Sequence, residues 1–199
     1  MNKIKAMILS GGMSRRMGSD KGLMLENGQA RIQIVYNQLL SSFDSIYISI
    51  RKEQKSDYKN IFSQDQMIFD SSSFSEIYGP LRGLSSFSEI FPSEYFFVSA
   101  CDLLNLNQNS IEILLGEFEQ SPGADCYLYR YMRRPEPLFG IYHTQPLLRY
   151  TEDIKKHKKS DFSMMSLLGH LKCSITELSE NDFFYLKNFN VPDEKPKRD

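Results

Sequence analysis

The chain has 199 residues, 41% of them hydrophobic, enough for one domain with a sizeable core. A net charge of −1 supplies no general field for nucleic acid or an anionic membrane, so any anion site has to be local. Three widely spaced cysteines, Cys101, Cys126 and Cys173, fit neither a disulfide framework nor a zinc site and point to a reducing, cytoplasmic setting.

Residues 4–9 (IKAMIL) form an apolar run that is too short for a signal peptide and reads as a buried strand; no run approaches membrane-spanning length. The strand ends in residues 9–21, LSGGMSRRMGSDK. Gly11 and Gly12 lack a Cβ, so a bend there can turn several backbone N–H groups toward an anion, and Ser14, Arg15, Arg16 and Lys21 add a hydroxyl and three cations. A Walker A loop is excluded because Gly18 is followed by Ser19 rather than lysine, and no G-x-G-x-x-G dinucleotide fingerprint occurs.

Further along, Asn27-Gly28 supplies turn chemistry, and Ile32, Val35, Tyr36, Leu39, Leu40 and Phe43 recur at helical spacing. Residues 45–50 (SIYISI) and 66–70 (QMIFD) read as strands, and a helix is predicted over about 80–91, with Pro80 in its first turn. Residues 95–100 (YFFVSA) are the strongest strand, with Cys101-Asp102 at its carboxyl end. Strands separated by helices favour parallel crossovers, and open α/β sheets bind ligands outside the carboxyl ends of their strands. Asp102 is therefore expected on the same rim as the glycine loop. Beyond it the reading is a helix over 110–119, a strand over 124–131, a turn over 133–137, a strand over 138–142, and helices over 146–154 and 162–171. Residues 174–178 and 183–185 are short segments of undetermined type, and 195–199 is a charged tail expected to fray.

The loop matches G-G-x-S-x-R-M-G-x-D-K through Gly11, Gly12, Ser14, Arg16, Met17, Gly18, Asp20 and Lys21. In this it resembles the nucleotidyltransferases that attach a nucleoside monophosphate to molybdopterin. Gly79-Pro80-Leu81-x-Gly83-Leu84, Cys101-Asp102 and Asn188-Phe189-Asn190-Val191-Pro192-Asp193 resemble further segments of that family, in the same order along nearly the whole chain.

The resemblance implies a Rossmann-like three-layer α/β/α nucleotidyltransferase fold with a mostly parallel central sheet. It also implies one domain over residues 1–199, with a nucleotide-binding half at about 1–105 and an acceptor-binding half at 106–194. The implied reaction is transfer of GMP from Mg-GTP to the phosphate of molybdenum-loaded molybdopterin, with release of pyrophosphate. Lys21, Arg16 and Asp102 would be catalytic, and Asp102 would hold Mg²⁺. Leu9, Ser10, Gly11, Gly12, Lys21, Ser49, Asp70, Gly79, Gly83 and Asp102 would contact the nucleotide. Lys158, Lys159, Asn188 and Asn190 would serve the acceptor, with transient contacts to cofactor biosynthesis or insertion proteins and no nucleic-acid or membrane partner.

Several positions depart from the family pattern. Ser10 replaces the commoner alanine, Leu104 a proline and Val191 a threonine, and Ser49 stands where many relatives carry a base-contacting asparagine, which leaves base selectivity open. The competing readings are a CTP-dependent relative, a transferase charging a different phosphorylated acceptor, and a non-catalytic nucleotide-binding module. His143, His157 and His170 share no metal-ligand spacing, and Cys101 reads as buried packing.

Overall fold

The computed structural model describes residues 4–11, 20–158 and 160–178. In chain order its elements are β1 (Lys5–Leu9), β2 (Leu25–Glu26), β3 (Gln29–Ala30), α1 (Arg31–Leu39), β4 (Ile46–Ile50), α2 (Lys55–Tyr58), β5 (Met67–Phe69), α3 (Pro80–Ile90), β6 (Tyr95–Ala100), α4 (Gln108–Gln120), β7 (Cys126–Tyr131), β8 (Arg134–His143), α5 (Thr144–Lys156), α6 (Met164–Leu168) and β9 (Cys173–Glu177). The expected Asn27-Gly28 turn joins β2 and β3, with both residues at positive φ (51° and 82°) as a two-residue hairpin turn requires.

The main sheet has seven strands in the order β5-β4-β1-β6-β8-β7-β9. Neighbours pair in parallel except β8, which is antiparallel to both β6 and β7. Side-chain alternation divides the core into two layers. Ala6, Ile8 and Phe97 face Ile32, Val35 and Leu39 of α1 together with Ile111 and Leu114 of α4. Met7, Phe96 and Val98 face Leu81, Leu84 and Phe87 of α3, with Leu147 and Ile154 of α5 and Leu167 of α6. The result is the expected three-layer α/β/α arrangement with a mostly parallel sheet. Each fully buried Leu or Phe contributes about 1.5–3 kcal/mol relative to exposure, and both faces of the uncharged β6 are sealed in this way. Among the described residues no helix is long and apolar enough to cross a membrane.

The structure corrects three readings. The turn expected over residues 133–137 is confined to Met132 and Arg133, both at positive φ, and β8 starts at Arg134. Pro135 and Pro137 thus lie within a strand, where a missing N–H normally interrupts the ladder. They are accommodated because this half of β8 runs past the pairing with β6, which stops at Phe139. There it has only β7 beside it, across a register shift between Leu128 and Arg130. Second, Cys126 and Cys173 form a disulfide, with 4.7 Å between their Cα atoms. The parallel register of β7 on β9 sets these two residues directly opposite each other, a juxtaposition that cysteine number and spacing do not encode. Third, the helix read over 162–171 is only the short α6, and residues 174–178 belong largely to β9. The segment at 183–185 and the tail lie outside the described residues.

Candidate active site

Three backbone hydrogen bonds extend the parallel ladders beyond the strand ends and set the rim of the sheet. Ser10 N–H donates to Ser49 O (2.9 Å), Cys101 N–H to Leu9 O (3.1 Å) and Asp70 N–H to Ile50 O (3.2 Å). Moving from β5 to β6, the rim therefore carries Asp70, Arg51, Gly11 and Asp102 in that order. Above it opens a cavity of about 550 Å³, a size suited to a small-molecule ligand. Its floor includes Leu9, Ser10, Gly11, Ser49 and Gly83. A Cβ on Gly83 would come within 2.7 Å of both Leu9 Cδ2 and Ser49 Oγ, so only glycine lets α3 approach the ends of β1 and β4 this closely. At the entrance to that helix, Gly79 has φ 70° and ψ −158°, a region open to glycine, and Pro80 follows in the first turn.

Lys21 Nζ lies 3.6 Å from Asp102 Oδ2 inside this cavity, with their side chains 30% and 12% exposed. At the opposite end Asp70 Oδ2 lies 3.5 Å from Arg82 Nε. Burial raises the Asp70 carboxyl above its ordinary range, while the charges of Arg82 and Arg51 pull it back down. Cys101 lines the cavity too, but burial pushes its thiol up to about 12, so it remains a neutral packing group.

Ser10 and Asp20, described on either side of residues 12–19, are tied to each other through Tyr58 and Gln54. Tyr58 Oη donates to Asp20 Oδ1 (3.0 Å) and lies 2.5 Å from Ser10 Oγ. Burial holds the phenol far above a tyrosine's usual range; its proton goes to the carboxylate, and Ser10 donates to the phenol oxygen. Gln54 Nε2 donates to Ser10 O (3.1 Å) and to Asp20 Oδ2, and Gly22 N–H donates to Asp20 Oδ1 (2.9 Å). A Cβ on Gly22 would overlap Ser10 Oγ and Tyr58 Oη. Asp20 is thereby fully engaged, and the chain is fixed immediately before Lys21. Tyr58→Phe keeps the ring and removes this link. It is expected to lower stability by about 1.5–3 kcal/mol in urea unfolding, the usual worth of a hydrogen bond to a charged group.

Residues 6–172 match the family model of the MobA-like NTP transferase domain. The chain belongs to this family. A Campylobacter jejuni subsp. doylei protein named molybdenum cofactor guanylyltransferase is 28% identical, the alignment covering 99% of this chain and 97% of the relative. A Natranaerobius thermophilus protein named probable molybdenum cofactor guanylyltransferase is 31% identical, over 71% of this chain and 67% of the relative. The crystal structure of molybdopterin-guanine dinucleotide biosynthesis protein A from Archaeoglobus fulgidus superposes with a TM-score of 0.77 over 96% of this chain and 94% of that one. At 20% identity it is a likeness of fold. As a MobA-like NTP transferase the chain is a nucleotidyltransferase.

Within this MobA-like domain the cavity collects Leu9, Ser10, Gly11, Lys21, Ser49, Asp70, Gly79, Gly83 and Asp102 from the residues named for the nucleotide. Gly12 and Arg16 lie outside the described residues, as do Lys159, Asn188 and Asn190. Lys158 follows the C-terminus of α5 and is not part of the cavity lining. Its neighbour Lys155 donates to Ser73 O (2.8 Å), which ties the basic run to the loop leading to Tyr78 at the cavity. The sequence reading missed Arg51, Arg82, Tyr78 and Leu138 in the lining, and Tyr58 and Gln54 around Asp20. Arg51 was within reach: it directly follows a parallel strand, the argument already applied to Asp102.

Proposed function

We propose that this MobA-like enzyme transfers GMP from GTP to the terminal phosphate of molybdenum-carrying molybdopterin and releases pyrophosphate. The observation that carries this reading is the meeting of Lys21 and Asp102, 3.6 Å apart, over the backbone of residues 9–11 in one cavity. The guanylyltransferase names of relatives aligned over nearly the full length support the choice of base and acceptor.

The chemistry asked of the protein is charge management. A phosphate monoester has a second pKa of about 6, so the attacking oxygen is already largely deprotonated at neutral pH and no strong general base is needed. The barrier is the approach of two polyanions, so positioning and charge stabilisation supply the rate. Lys21, with Arg16 from the glycine loop, neutralises charge on the α-phosphate and the departing pyrophosphate. Ser10 and Gly11 offer backbone to the phosphate chain, and Ser49, Asp70, Gly79 and Gly83 enclose the nucleoside. A bound Mg²⁺ would supply Lewis-acid neutralisation of the phosphates. Asp102 fits such an ion, because Mg²⁺ takes one or two carboxylates and completes its shell with water and substrate oxygens. Asp20 is occupied by Tyr58, Gln54 and Gly22; of the two carboxylates in the cavity lining, Asp70 lies beside Arg82 at the β5 end and Asp102 beside Lys21, the lysine read as facing the phosphates, which favours Asp102 for this role.

Residues 1–105 form the nucleotide half in this reading and 106–194 the acceptor half. Lys158, Lys159, Asn188 and Asn190 serve the pterin-side phosphate, and handover of the product takes place through transient contact with insertion proteins. Purified protein given molybdenum-loaded molybdopterin and each of GTP, CTP, ATP and UTP is expected to release pyrophosphate with GTP. Release with CTP alone would assign the related cytidylyl reaction. Nucleotide binding without release from any of the four would assign a binding module.

A further inference from the structure

The guanylyl-transfer reading leaves open how this chain recognises its base, since Ser49 stands where an asparagine is common in the family. The rim order gives the direction of the nucleotide. Phosphates held at Lys21 and Asp102 lie at the β1 and β6 end, so the nucleoside extends toward β4 and β5. Three strand spacings separate β6 from β5, about 14 Å at the usual spacing between neighbours. Asp70 and Arg82 line the cavity at that far end, and Arg51, after β4, lines it between them and Gly11.

This group has more donors than acceptors. Arg51 Nε and Arg82 Nε are both buried, and neither makes a hydrogen bond among the described residues. Arg82 nevertheless has the charge of Asp70 3.5 Å away. Among the described residues Arg51 has no ion-pair partner within 4 Å, although its charge acts on Asp70; its stem lies along Gly11, with Cγ 3.8 Å from the place a Cβ would occupy there. A buried N–H without an acceptor is costly and calls for one from elsewhere. Arg51 and Arg82 both line the cavity, which brings their side chains to the space a base would fill. Guanine presents O6, an acceptor, beside the N1–H and N2–H donors, the complement of a guanidinium beside a carboxylate. Adenine and cytosine present an amino donor at the place of O6, where a guanidinium has nothing to accept its proton.

We propose that Arg51 is a base-specificity residue that donates to O6 of guanine while Asp70 accepts from its N1–H and N2–H edge. The proposal rests on the guanylyl-transfer reading and concerns one contact within it. It differs from a phosphate contact by the same arginine, which would serve all nucleoside triphosphates alike.

The test compares binding of Mg-bound GTP, ITP, ATP and 2-aminopurine riboside triphosphate by calorimetry, on the full-length wild type, Arg51→Ala and Arg51→Lys. ITP keeps O6 and N1–H, whereas 2-aminopurine lacks both. The wild type is expected to prefer GTP and ITP over the other two by about tenfold or more, the usual scale for one base-edge contact. Arg51→Ala should remove that preference by weakening GTP and ITP alone, with ATP and 2-aminopurine binding held within about twofold. Arg51→Lys keeps a donor but loses the planar fork, so it should reduce the preference for GTP and ITP without abolishing it, and it carries the test should the alanine variant fail to fold. A parallel loss for all four triphosphates would assign Arg51 to phosphate and overturn the proposal, as would unchanged preference in both variants. A wild type that binds none of the four would overturn the guanylyl-transfer reading itself.

Discussion

Asp102→Asn is expected to lower pyrophosphate release by about a thousandfold or more, the scale of a lost metal-directed charge contact in a phosphoryl-type transfer. Asparagine preserves the shape and the turn after β6 but removes the negative charge that faces Lys21 at 3.6 Å. Two effects add. In the proposed reaction the site would lose the carboxylate assigned to a divalent ion, and Lys21 loses an ionic partner that helps fix its ammonium over the rim. Metal titration separates these contributions. If Mg²⁺ or Mn²⁺ binding in the presence of GTP is unchanged in the variant and turnover keeps the wild-type metal dependence, the ligand is another group.

Lys21→Ala is the second large effect, a fall of about a hundredfold or more in turnover with the fold retained, in line with removal of one transition-state charge partner. The lysine side chain is 30% exposed and contributes little to the core, so the loss should appear in catalysis rather than in unfolding. Near-normal turnover in a folded Lys21→Ala protein would remove the assigned role. Guanidinium rescue is not expected from Lys21→Arg, because a planar fork does not place its charge where a compact ammonium sits.

What the sequence discloses of this molecule follows the range of the interactions involved. β6 is legible because YFFVSA is uncharged, aromatic and β-branched, the signature of a strand buried on both faces. Asp102 is legible because a rule about parallel sheets carries any residue after such a strand to the ligand rim. The clamp on Asp20 depends instead on Tyr58 and Gln54, which are 38 and 34 residues beyond it, and polar residues in α2 and just before it have no pattern that announces a distant partner. Pro135 and Pro137 mislead for a related reason. Proline excludes an inner strand only where both edges are paired, and that condition depends on where β6 stops. Likewise the bond between Cys126 and Cys173 follows from the register of β7 on β9 and not from the number of cysteines.

The reversed direction of β8 has an architectural consequence. Since it enters the sheet from the rim side, its first residues stand above the carboxyl edge, and Leu138 forms one wall of the cavity. That wall is held to the sheet by the pairing of Phe139 to His143 with β6, whereas its outer end closes at the two-residue turn of Met132 and Arg133. Residues added or removed in matched pairs at that turn, one on each arm, would change the height of the wall while leaving every inward-facing side chain below Phe139 in register. The chain thus contains an adjustable parapet on one side of a fixed floor, so that the height of this wall can vary in evolution independently of the rim residues beneath it.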